Sequence, residues 1–229
     1  MFNLQNLHHS LIVSCQPEAD EAFYDIQFIT GMASAAILGG AGGLRLNGPD
    51  NILAVRSLTS LPIIGLWKRA YADSTVYITP TLADARAVAA AGADLIALDA
   101  TARQRPGGET LAEIVATLKA EGFCLMADIS SFEEGLAAEK LGFDCVGTTL
   151  AGYTSSEPPP TEPDFVLLQS LAHALTIPVL MEGRIWTPEQ ALVARELGAY
   201  AVVVGSAITR PQLLTRRFLR RMNQPSAEW

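Results

Sequence analysis

The sequence predicts one α/β domain over residues 1–229, a (β/α)8 barrel, and three observations predict it. Short Val-, Ile- and Leu-rich runs alternate with longer Ala-, Leu- and Glu-rich amphipathic segments along the whole chain, the pattern of βα units around a parallel sheet. A weak repeat supports this: AAAGADLIALDA, EKLGFDCVGTTL and RELGAYAVVVGSA each place a helix-ending glycine just before a buried run. Nearly every run also ends on a polar residue, as strands do where their carboxyl ends converge on one mouth.

In order, the strands are LIVSCQ from Leu11, GLRLNG from Gly43, PIIGLWK from Pro62, DLIALDA from Asp94, CLMADIS from Cys124, DCVGTTL from Asp144, PVLMEGR from Pro178 and AVVVGSA from Ala201. Each is short, as barrel strands are. Helical patterns lie between them: TLADARAVAAAG, ETLAEIVATLKAEG, SFEEGLAAEKLG, PDFVLLQSLAHAL, TPEQALVARELG and PQLLTRRFLRRM. Several open on Ser, Thr or Pro and several close on Gly, the residues that cap helix starts and stops. Only Gly152–Asp164, GYTSSEPPPTEPD, lacks the pattern. Its prolines cannot continue a helix, and its place after the sixth strand makes it a candidate cover for the mouth.

Composition narrows the function. Apolar residues make up 49% of the chain and charged ones 17%, a globular balance with no sign of disorder. The formal charge is −8 and the basic residues are scattered, which leaves no broad positive face for nucleic acid or anionic lipid. Cys15, Cys124 and Cys145 are odd in number and far apart, so they read as buried thiols in a reducing compartment, not as disulfides or zinc ligands. With no leader-like start and no long apolar segment, the expected location is the cytoplasm.

The strand ends offer Gln16, Arg45, Lys68, Asp99, Asp128, Thr148, Glu182, Arg184 and Ser206, without a histidine among them. General acid and base work therefore falls to lysine and carboxylates. Period-two alternation puts Ile64, Leu66 and Lys68 on one face of the third strand, and Leu180, Glu182 and Arg184 on one face of the seventh. If those faces point inward, Lys68 and Glu182 meet across the mouth. A lysine at its ordinary pKa is neutral in only about four parts in ten thousand at pH 7, so a lysine base needs burial or cationic neighbours, here Arg45 and Arg184. The bland readings are a solvated strand end for Lys68 and an ion pair with an arginine for Glu182.

After strands seven and eight, EGRIW and VVGSAITRP suit a phosphate: Gly183, Gly205 and Ser206 permit close backbone approach and Arg210 adds charge. GGAGGLRL from Gly39 precedes its strand instead of following it, so no dinucleotide fingerprint is met.

LIVSCQ, GLRLNG, IIGLWKR followed by Tyr71, VYITPT, DLIALDATARQRP, LMADIS, GTTLAGYT, EGRIWTPEQA and AVVVGSAITRP stand in this order. In them the chain resembles the bacterial N-acetylmannosamine-6-phosphate 2-epimerases over almost its whole length. The resemblance implies a phosphate-binding barrel that inverts C2 of an N-acetyl amino sugar phosphate by taking off and returning its proton, in sialic-acid and amino-sugar breakdown, with no cofactor and no metal. It implies Lys68 and Glu182 as the catalytic pair. It implies Gln16, Arg45, Asp128 and Arg184 at the sugar, joined by Thr148 at its strand end, and Gly183, Gly205, Ser206 and Arg210 at the phosphate. Family dimers suggest that the last helix packs on a neighbouring copy. Departures are mild at GLRL, MEGR and VGTTL and larger in QPEADEAFYDIQFITGMASAAILGG, near Gln16.

Two other readings use the same residues. In a class I aldolase Lys68 forms a Schiff base with a phosphorylated keto sugar. In a non-catalytic barrel the phosphate loops serve a sensor or an assembly subunit.

Overall fold

A computed structural model describes residues 2–154 and 161–223. Eight parallel strands close into a barrel in chain order: β1 (Leu11–Cys15), β2 (Gly43–Asn47), β3 (Ile63–Leu66), β4 (Leu95–Asp99), β5 (Cys124–Asp128), β6 (Cys145–Gly147), β7 (Val179–Glu182) and β8 (Ala201–Val204). β8 pairs back onto β1, with Ile12 opposite Val203. The helices are α1 (Ile26–Leu38), α2 (Pro49–Arg56), α3 (Leu82–Ala90), α4 (Leu111–Ala120), α5 (Phe132–Leu141), α6 (Phe165–Ala174), α7 (Pro188–Glu196), α8 (Ser206–Thr209) and α9 (Pro211–Met222).

Local chemistry explains most boundaries. Thr81, Thr110, Ser131 and Thr187 cap α3, α4, α5 and α7 through reciprocal bonds with Asp84, Glu113, Glu134 and Gln190, which satisfies amide donors that the first turn leaves free. The repeat glycines Gly92, Gly142 and Gly198 all adopt positive φ, near 100°, and turn the chain from helix into the next strand. Three helices had no counterpart in the sequence reading, α1, α2 and the four-residue α8. α1 carries apolar residues around its circumference, buries Ile29 and Ala33 and leaves Ile26, Phe28 and Leu38 exposed, so it has no clean stripe to read.

Alternation along the strands builds two cores. Leu44, Leu46, Ile96, Leu98, Leu125, Val146 and Met181 pack with the helices. Ile12, Ile64, Leu66, Leu95, Met126, Cys145, Leu180 and Val203 fill the interior together with Leu7, whose short 3-10 turn, Leu4–Leu7, plugs the end opposite the mouth. Among the described residues no helix is long and apolar enough to cross a membrane.

Two placements correct the sequence reading. Arg45 lies in the middle of β2, not at its end, and is 1% exposed inside the barrel. β3 stops at Leu66, two residues before Lys68, because residues 67–79 fold back on themselves: Lys68 bridges Ile78 in antiparallel fashion, and Thr79 N–H donates to the Trp67 carbonyl at 2.8 Å. Part of the expected cover over the mouth, residues 155–160, lies outside the described residues.

Candidate active site

At the carboxyl ends of the strands the barrel opens into a cavity of about 630 Å³. Lys68 and Glu182 both line it, as do Gln16, Arg45, Gly183, Arg184, Gly205, Ser206 and Arg210. Asp128 lies fully buried beneath it. Thr148 does not open into it: its hydroxyl donates to the Glu182 carbonyl at 2.8 Å and accepts from the Glu182 amide at 3.0 Å, stitching β7 to the end of β6. The next residue, Thr149, takes the cavity position. Period-two alternation from the inward Cys145 through Gly147 points to Thr149, and that was the signal available in the sequence.

The floor of the cavity is a cluster of four side chains. Arg45 Nη2 meets Asp128 Oδ2 at 2.5 Å, and Arg45 Nη1 pairs with Glu182 Oε2. The Thr149 hydroxyl lies 2.6 Å from Asp128 Oδ1, 3.1 Å from Glu182 Oε2 and 3.1 Å from Arg45 Nη1. Arg45 is a charge deep in the barrel, and the two carboxyls compensate it. Burial alone would lower its proton affinity, but attraction to Asp128 and Glu182 outweighs this and holds the guanidinium charged. Both carboxyls also hold their protons more tightly, which for them favours the neutral form. Burial raises Asp128 and Glu182 above the usual carboxylate range, Arg45 opposes the rise in each, and in Glu182 repulsion from Asp128 adds to it. A carboxyl raised in this way can hold and release a proton nearer to neutrality.

Lys68 approaches from the segment after β3. Its amide donates to Asn47 Oδ1 at 2.8 Å, which fixes its backbone, and neighbouring Arg69 is tied to buried Asp84 at 2.9 Å. Its ammonium contacts Glu18 Oε1 at 3.2 Å, and its side chain is 27% exposed. Arg45 and Arg184 are not free cations beside it, contrary to the sequence expectation. Arg45 is met by two carboxyls, and Arg184 donates to the Ala151 carbonyl at 2.8 Å and covers the Tyr153 ring at 4.3 Å.

Gly183 adopts φ 108° and Arg184 φ 59°, a sharp turn directly after β7 that exposes backbone to the cavity. Gly205 precedes the short α8, and Cβ at this position would lie 3.3 Å from Ser14 Cβ. Arg210, expected to be available for an anion, is engaged by the first loop: Nη2 meets Glu18 Oε1 at 3.0 Å and Nε meets Glu21 Oε2 at 2.9 Å. Burial alone would raise the Glu18 carboxyl, but Lys68 and Arg210 outweigh it and hold it below its ordinary value. Nothing in the sequence pattern singled out Glu18 or Glu21. Among the described residues no group of three or more His, Cys, Asp or Glu is placed to hold a metal ion.

Residues 29–224 match the family model described as "Putative N-acetylmannosamine-6-phosphate epimerase". The chain belongs to that family. A 2-epimerase of the same description from Caldanaerobacter subterraneus subsp. tengcongensis is 48% identical over 94% of this chain and 92% of its own. A solved structure of the N-acetylmannosamine-6-phosphate 2-epimerase from Clostridium perfringens superposes with a TM-score of 0.92 at 46% identity, covering 96% of both chains. Thiamine phosphate pyrophosphorylase from Pyrococcus furiosus, at 20% identity and a TM-score of 0.60, shares the barrel fold alone. The match to the epimerase family model begins inside α1, so Gln16, Glu18 and Glu21 precede it.

Proposed function

We propose that this protein interconverts N-acetylmannosamine 6-phosphate and N-acetylglucosamine 6-phosphate by removing and returning the C2 proton, in the bacterial cytoplasm during sialic-acid and amino-sugar breakdown. The observation that carries the reading is that Lys68, from the segment after β3, and Glu182, at the end of β7, open into one cavity over a buried guanidinium. The C2 proton is acidic only in the open-chain aldehyde, where the neighbouring carbonyl spreads the carbanion into an enolate, so ring opening precedes it. Lys68 and Glu182 are the proton-transfer pair, with either a base on each face of C2 or one base and a turning substrate. Gln16, Arg45, Asp128 and Arg184 hold or orient the sugar end. Gly183, Gly205 and Ser206 meet the phosphate by backbone approach, and Arg210 adds charge once Glu18 gives way. Thr148 serves the sugar only indirectly, through the Glu182 backbone.

The test is proton NMR of either sugar phosphate with the enzyme in D2O, where deuterium is expected at C2. Lys68→Ala and Glu182→Ala are each expected to slow exchange by at least about a hundredfold. Full exchange in Lys68→Ala removes that lysine from the mechanism. Borohydride trapping with substrate should leave Lys68 unmodified, and a stable adduct there would instead favour the aldolase.

We further propose a homodimer. Support comes from α9, which has no fully buried side chain among the described residues and presents Phe218, Leu219 and Met222 to the outside.

A further inference from the structure

A hydroxyl has one hydrogen to give and two lone pairs to receive with. Thr149 faces three partners: Arg45 Nη1 at 3.1 Å, Asp128 Oδ1 at 2.6 Å and Glu182 Oε2 at 3.1 Å. Arg45 can only donate, which uses one lone pair. The single hydrogen then satisfies one carboxyl, and the shorter contact gives it to Asp128. Glu182 completes the set only as a donor, that is, as a carboxylic acid filling the second lone pair. Charge agrees with this count. Two ionised carboxylates and one guanidinium leave a net negative charge in a site where Arg45 is 1% exposed and Asp128 fully buried, and one retained proton makes the cluster neutral.

Other groups facing the cluster do not remove that need. Asp99, on the neighbouring β4, is itself buried and met by Arg103 at 2.5 Å. Lys68 lies at the cavity edge with Glu18 on its ammonium. Two further titratable neighbours stay protonated: Tyr77, a phenol pushed up to about 12 by burial and by the negative charges of Asp128 and Asp99, and Cys145, a thiol pushed up by burial and by the negative charges of Asp144 and Asp128.

Resting on the epimerase reading, we propose that Thr149 is a positioning residue that carries one proton between Glu182 at the cavity surface and Asp128 beneath it. In the transfer the Glu182 O–H bond breaks as a new O–H forms on Thr149, and the original Thr149 O–H breaks as its hydrogen bonds to Asp128. Glu182 becomes a carboxylate, Asp128 becomes an acid, and Arg45 stays bonded to both. The reverse shuttle resets the pair, so Glu182 can be an acid in one half of the reaction and a base in the other.

Thr149→Val removes the shuttle but keeps the shape, and Thr149→Ser restores it. For the valine variant we expect kcat to fall about 10- to 100-fold with KM within about twofold, and the acid limb of the pH–rate profile to move up by about one unit, because the hydroxyl bond that favours ionised Asp128 is gone. Serine should recover both. Wild-type kcat and profile in Thr149→Val, or equal losses in the valine and serine variants, would overturn the proposal. If valine does not fold, Thr149→Ala is read against serine in the same way. Infrared difference spectroscopy reads the proton without turnover: a protonated-carboxyl band at neutral pH should vanish in Glu182→Gln and shift in Thr149→Val. Absence of that band in wild-type protein sinks the shared proton whatever the substrate proves to be, whereas a wild-type enzyme that shows the band but does no C2 exchange sinks the epimerase reading instead.

Discussion

Arg45 carries one positive charge and faces two carboxyls, so Asp128 and Glu182 compete for it as they do for Thr149. That arrangement has a cost in stability with a definite sign. Between the ordinary carboxyl range and the raised folded value of Glu182, the native state binds more protons than the unfolded chain, so stability falls as pH rises across that window. Glu182→Gln removes the second negative charge and leaves Arg45 paired with Asp128. It should therefore be inactive yet melt about 2–4 °C above wild type at pH 8, a gain of about 1 kcal/mol that shrinks towards pH 4. Calorimetry at the two pH values checks it, and an equal or lower melting temperature at pH 8 would remove the electrostatic account. Much of this cluster is legible beforehand: Arg45, Asp128 and Glu182 all stand among the polar strand residues of the sequence, and alternation brings Glu182 to the mouth. The polar end of the sixth run points to Thr148, whereas β6 stops at Gly147 and the inward facing passes from Gly147 to Thr149. Glu18 was not legible, since a loop carboxylate finds Lys68 and Arg210 only once three distant segments have met.

For the elements, sequence chemistry was most informative where a side chain bonds its own backbone, as in the four capping boxes, and least where packing decides, as in α1. β3 shows both limits. Its apolar run reads directly, but its early end does not, because residues 67–79 hold Lys68 by bonds to Ile78, Asn47 and Thr79 instead of by continued strand pairing. Gly65 in that strand marks a tight contact with the helices: a Cβ there would lie 2.6 Å from Ala93 Cβ, 2.7 Å from Val88 Cγ1 and 3.0 Å from Ile52 Cδ1. Gly65→Ala should cost about 1–3 kcal/mol through overpacking. Urea unfolding measures it, and an unchanged midpoint would mean that α2 and α3 yield without strain.

On the scale of the whole molecule, the closed barrel follows from the repeated βα pattern, while a self-association surface does not, because an exposed apolar position and a buried interface position look alike in one chain. If α9 forms the dimer contact, Phe218→Glu should convert a dimer into a monomer in sedimentation velocity, and a dimer that survives the change would locate the interface elsewhere. One feature at the other end of the barrel governs traffic. Leu7 and its 3-10 turn cork the interior, so the described residues leave no through-passage. A sugar phosphate entering at the mouth and its epimer leaving must use the same doorway in opposite directions. Each isomer therefore waits for the other to clear it, and the direction of net flow is set by their relative abundance outside.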